Sequence, residues 1–172
     1  MSARLELYVQ QNANNWGTEG GTVDAHRIAT SWSEAAATWN CPSDSNPSNS
    51  TADCPVQWAG ASFEANPTDT LLHTNGLQGW VGFDVTRDVE SFLSGTANYG
   101  WLLKKTDEGQ SGEAEYTSRE GTASSGCVCV AIVAGGYRQR REGLTPTNGR
   151  CGRRAAGGHD VRNLAVIDAQ QR

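Results

Sequence analysis

The chain has 172 residues, 20 of them Gly, with 37% apolar residues and a formal charge of −5. This bounds it to one domain of ordinary size and argues against a helical bundle or long coiled coil. Residues 1–126 carry 6 Lys and Arg against 16 Asp and Glu, whereas 127–172 carry 8 Arg, no Lys and 3 acids. An acidic body argues against general nucleic-acid binding, which needs a basic face, and no run of about 18 apolar residues offers a membrane span.

In chain order, Leu5, Leu7 and Val9 alternate with Arg4, Glu6 and Tyr8, the period-2 pattern of a strand with one buried face. Residues 10–21 are rich in Asn and Gly and read as a loop, and 22–28 as a second strand. Residues 31–40 hold an Ala run, but the flanking Trp and Thr residues favour an irregular crossing over a helix. From 41 to about 75 runs a loop longer than normal connections, of the kind that is functional or pinned. Residues 79–85 form a clear strand with Val81, Phe83 and Val85 on one face. Thr86 then caps a short helix with Val89, Phe92 and Leu93 at i, i+3 and i+4, ended by Gly95. Residues 101–105 and 113–118 read as strands joined by a polar hairpin loop, and 127–133 as a final buried strand. Spaced strands with one short helix in a Gly- and Asn-rich chain predict an all-β fold, an antiparallel sandwich of jelly-roll type.

The five Cys divide in the same way. Cys41 and Cys54 bracket a polar loop with no apolar content to hold it, so a disulfide is expected, worth roughly 3 kcal/mol for a loop of about 14 residues. Zinc is the weaker reading, with no CxxC pair and no nearby His. Cys127, Cys129 and Cys151 have no obvious partners. No GxGxxG, Walker loop, HExxH or GxSxG pattern occurs, so cofactor and common hydrolase chemistry lack support, and no cofactor is expected.

Six motifs follow one another in a recognisable order. They are Ala3-Arg4-Leu5-Glu6-Leu7-Tyr8-Val9, Val23-Asp24-Ala25-His26-Arg27, and Trp32-Ser33-Glu34 with Thr38-Trp39-Asn40. Then come Gly79-Trp80-Val81-Gly82-Phe83-Asp84-Val85-Thr86, Asn98-Tyr99-Gly100-Trp101-Leu102-Leu103 and Tyr116-Thr117-Ser118-Arg119-Glu120. Over about residues 3–122 the chain resembles the DNRLRE domains, grouped with the family-96 carbohydrate-binding modules. The resemblance implies an extracellular, non-catalytic jelly-roll that tethers a larger secreted bacterial protein to a polysaccharide, in some members alginate. It also implies strands upstream of residue 1. The first residues are not a signal peptide, so secretion would require a leader further upstream. Family members end soon after the Ser-Arg-Glu motif. The domain is therefore expected to span 1–133, with 134–172 an Arg/Gly-rich tail that is disordered or shifted in frame near Ala123.

Sugar recognition needs aromatic faces for pyranose rings and planar polar groups for hydroxyls. Of six Trp, Trp32, Trp39, Trp80 and Trp101 sit in the family-like motifs and read as core, which leaves Trp16 and Trp58, in polar loops, as stacking candidates. A uronic-acid ligand would call on Arg27, Lys104, Lys105 and Arg119, although Lys104 and Lys105 point to opposite faces of one strand. Arg119 has the alternative of pairing with Glu120 or another acid. Asp44 and Asp53 offer a weak structural-calcium site whose spacing is not that of an EF-hand. Enzymatic alternatives are a glycosidase on Glu113 with Glu115 or Asp107 with Glu108, and a lyase using His26, His73 or Tyr99 with Arg27. A structural spacer of a surface protein is the remaining alternative.

Overall fold

The first strand, β1 (Ser2–Asn12), follows its alternation closely: Ala3, Leu5, Leu7 and Val9 are fully buried. Each large aliphatic side chain so placed contributes about 1.5–3 kcal/mol. The computed structural model describes residues 2–38, 40–49, 51–58 and 62–117, and the backbone of Cys129–Val133 and Val166–Asp168. The remaining strands are β2 (Gly21–Arg27), β3 (Asp69–His73), β4 (Gly79–Asp84), β5 (Trp101–Lys105), β6 (Ala114–Tyr116), β7 (Cys129–Val133) and β8 (Val166–Asp168). Among the described residues one helix, α1 (Thr86–Leu93), lies between β4 and β5.

Two open sheets make a sandwich. In the first, β1 is central and antiparallel to β4 along Arg4–Val9. Its other edge is shared by β7 along Ser2–Glu6 and by β6 along Val9–Asn12, with an irregularity between Val9 and Gln11. In the second sheet the order is β3-β2-β5-β8, antiparallel except for β8, which runs parallel to β5. β8 lies within the stretch expected as tail. The rest of that stretch, and the region around Ala123, lie outside the described residues. Among the described residues no helix is long and apolar enough to cross a membrane.

The core lies between the sheets. Leu5, Leu7, Phe83 and Val85 meet Val23, Ala25, Trp101 and Leu103. At the Arg27 end of β2, α1 closes the sandwich through Val89 and through Phe92, whose ring lies 5.7 Å from that of Trp101. At the Gly21 end the plug is Trp16. Gly112 passes so close that a Cβ there would meet the indole at 2.5 Å, and its φ of +125° favours glycine as well.

A second cluster lies on the outer face of the second sheet. The described residues of segment 29–68 fold back over it, packing Trp58, Trp32, Ala37 and Phe63 against Ile28, Leu102 and Tyr99. The Cys41–Cys54 disulfide (Cα–Cα 5.7 Å) staples this cover, as expected from the polar loop it closes.

Three local expectations change. The long loop is broken by β3, which pairs with β2. β5 and β6 are not a hairpin: they belong to different sheets. The turn between them crosses the end of the sandwich, where the Gln110 amide donates to the carbonyls of Trp16 (3.2 Å) and Gly20 (2.9 Å). Thr86 is the first helical residue, not a cap: its hydroxyl accepts the Ala3 N–H at 2.9 Å and so ties the helix to β1. Gly95, at φ +103°, follows the helix where a positive φ is needed.

Candidate functional site

Trp16 and Trp58 are not stacking platforms. Trp16 is 2% exposed, its indole N–H donating to Asn12 Oδ1 at 3.1 Å and its ring 5.4 Å from that of His73. Trp58 is 7% exposed and donates to the Thr38 carbonyl at 2.9 Å. A polar neighbourhood in sequence misleads here because a single accepted N–H satisfies an indole and lets it anchor a loop.

The described cations among these candidates do not form one patch. Arg27 pairs with Glu64 (2.9 Å) and faces Asp88 (3.9 Å) at the α1 end of the sandwich. Asp88 also accepts from Trp101 Nε1 (2.7 Å) and Thr68 Oγ1 (2.6 Å), so Arg27 belongs to a structural knot. Lys104 pairs at 3.1 Å with Glu108 in the turn that follows β5, and Lys105 donates to the Gln110 carbonyl. The neighbours Leu103 and Leu102 fall in the inner and outer clusters, so the two lysines do point to opposite faces. Arg119 lies outside the described residues.

The two histidines among the enzymatic candidates are not brought together either. His73 is fully buried between the sheets, whereas His26 lies on the outer face of the second sheet, 5.1 Å from the Phe63 ring. His73 Nδ1 donates to the Leu71 carbonyl (3.2 Å), which leaves Nε2 bare to accept the Tyr116 hydroxyl. Burial pushes the His73 pKa down, partly opposed by the Leu71 hydrogen bond. Asp107 caps its own turn by accepting the Gly109 N–H at 2.9 Å. Asp44 accepts the Asn46 N–H at 2.9 Å, and Asp53 the Asn49 amide at 3.1 Å. Among the described residues no three His, Cys, Asp or Glu side chains gather to hold a metal ion.

What remains is the outer face of the first sheet. Because Leu5, Leu7, Val9, Val81 and Phe83 turn inward, Arg4, Glu6, Tyr8 and Gln10 of β1 and Trp80, Gly82 and Asp84 of β4 turn outward. They stand in cross-strand rows, Arg4 opposite Asp84, Glu6 opposite Gly82, and Tyr8 opposite Trp80. Trp80 is 54% exposed, so its family-like motif did not make it core. The Tyr8 and Trp80 rings meet edge-to-face, centroids 5.6 Å apart and planes at 80°. Arg4 lies flat across Gly82, donating to its carbonyl at 2.9 Å; a Cβ on Gly82 would meet the guanidinium at 2.8 Å. The Thr86 side chain and N–H, with a smaller contribution from Arg4, hold the Asp84 carboxyl below the usual carboxylate range.

An exposed indole on a face that also carries planar amide, guanidinium and carboxylate groups is suited to a flat, hydroxyl-bearing ligand. Trp80 was legible in the sequence: Val81 and Phe83 facing the core oblige Trp80 to face away from it. Compared with protein-family models, with curated proteins and with solved structures, the chain gives no significant match.

Proposed function

We propose that the chain is a non-catalytic, extracellular carbohydrate-binding module, and that it grips polysaccharide with the outer face of its first sheet. The observation that carries this reading is Trp80, a large aromatic ring half out in solvent on a sheet face lined by planar polar groups. Singly exposed apolar residues are ordinary. Here the indole is braced by Tyr8 rather than loose on a loop, as a stacking platform must be. The disulfide is in keeping with an oxidising, extracellular setting. The motif order that resembles DNRLRE domains points to the same class.

The test is co-sedimentation with a panel of insoluble polysaccharides. Retention of the chain, reduced at least about tenfold in affinity by Trp80→Ala, is the expected result; tenfold corresponds to ~1.4 kcal/mol. Retention untouched by Trp80→Ala would move the site elsewhere. No retention of a folded chain by any polysaccharide would favour the second reading, a structural spacer. That reading has its own support in the stapled cover over the opposite face.

A further inference from the structure

We infer that the face around Trp80 takes a neutral glycan, an uncharged pyranose polymer with mostly equatorial hydroxyls, and discriminates against uronic-acid polymers; this rests on the binding function proposed above.

The charged residues in the strands of the first sheet are few and all lie on this face. They are Arg4 and Glu6 of β1, Asp84 of β4 and Glu115 of β6; β7 has none. Glu115 faces outward because its neighbours Ala114 and Tyr116 pack on the core. Three carboxylates thus stand against one cation. That cation is already engaged, its guanidinium donating to the Gly82 carbonyl and standing in register with Asp84.

A polyuronate laid on Trp80 would bring a carboxylate with each sugar ring. At a screening length of about 8–10 Å those charges would feel Glu6 and Asp84, with no free cation among the strand residues of the sheet to offset them. The three described cations once expected to meet an anionic ligand lie elsewhere: Arg27, Lys104 and Lys105 belong to the second sheet and have partners there. A neutral sugar sees the same carboxylates differently. Its hydroxyls are donors, and ionised carboxylates are the strongest acceptors a protein offers them. Rings with equatorial hydroxyls expose the flat C–H face that stacks on an indole. The acceptors of this face, Glu6 and Gln10 to either side of the Tyr8–Trp80 row and Asp84 two rows along, therefore favour one class of polymer and repel the other.

Affinity electrophoresis of the full chain separates the outcomes, with β-glucan or glucomannan in one set of gels and alginate or polygalacturonate in the other. Retardation by a neutral polymer, insensitive to added salt, lost in Trp80→Ala and weakened several-fold in Glu6→Gln, supports the inference. Weaker retardation in the uronate gels that improves in Glu6→Gln supports it as well. Trp80-dependent retardation that is equal or stronger in the uronate gels overturns the inference and leaves the binding function standing. No retardation in any gel, from a chain with a cooperative thermal transition, overturns the binding function and the inference with it.

Discussion

Tyr8 and Trp80 stand directly opposite each other across the β1–β4 pair, their rings in an edge-to-face contact 5.6 Å between centroids. The indole is therefore held at a defined angle to the Tyr8 ring while half of its surface stays in water. Such an aromatic pair contributes about 0.5–1.5 kcal/mol beyond its buried area. If its role is to aim the indole, Tyr8→Ala should weaken polysaccharide binding several-fold while Trp80 remains in place. Tyr8→Phe keeps the ring and should bind as the parent does. Co-sedimentation isotherms of the two variants decide this; equal losses in both would give the role to the hydroxyl.

The two Trp residues that polar loops suggested as platforms should behave as core. Trp16→Ala removes a nearly fully buried indole packed against His73 and should cost about 3–5 kcal/mol. Trp80→Ala, on the open face, should change stability by no more than roughly 0.5 kcal/mol beyond its contact with Tyr8. Denaturant unfolding of both variants measures the contrast. Similar losses in the two would contradict the assignment of core and platform.

The disulfide should stabilise chiefly the cover over the second sheet. Cys41 and Cys54 are separated by 13 residues, so Cys41→Ser with Cys54→Ser should cost about 3 kcal/mol, a fall in melting temperature of roughly 10 °C. Reduction of the parent should do the same and let acrylamide reach the Trp58 and Trp32 indoles. A melting temperature unmoved by reductant would show that the cover's hydrogen bonds, such as Trp58 N–H to the Asn40 carbonyl, suffice without it.

Acid should destabilise the fold through His73. Burial sets its folded pKa below the ordinary value of 6.5, so the unfolded chain binds the proton more readily than the folded one. Stability from this group is complete above pH 6.5 and is lost as the pH falls below that value toward the depressed pKa. The melting temperature of the parent should drop between about pH 7 and about pH 5. His73→Gln should start lower, having lost packing against Trp16 and Tyr116, but should fall less across that window. Equal falls in both proteins would assign the acid sensitivity to other groups. Asp84 contributes in the same direction only at lower pH, and weakly, because it is exposed.

Much of the sandwich can be read from alternation alone. β1 and β4 show it because one face of each is fully apolar, and α1 shows it through Val89 and Phe92. β3 is five residues long and splits its two leucines, Leu71 toward the core and Leu72 half exposed, so it has no apolar run to announce it. The break between β5 and β6 depends on Gln110 reaching Trp16 and Gly20, about 90 residues upstream, a contact that no local pattern encodes.

The site divides in the same way. Lys104 with Glu108 is a local pair within β5 and the turn that follows it, whereas Arg27 with Asp88 exists only because β2 and α1 meet at one end of the sandwich. The exposure of Trp80 follows from its neighbours, but its motif resembled core. Trp16 and Trp58 could not be placed from their own loops, because burial depends on acceptors such as Asn12 and Thr38 being folded onto them.

The most direct test of a binding face built on Trp80 is to follow the indole N–H resonances of the isotope-labelled chain during titration with a soluble β-glucan oligosaccharide, identifying each by single Trp→Phe variants. A binding face on Trp80 predicts that the Trp80 resonance shifts progressively while those of Trp16 and Trp58 stay fixed, because of these three only Trp80 is open to a ligand. Shifts confined to Trp16, Trp58 or Trp32, with Trp80 unmoved, would place the ligand on other elements and contradict it.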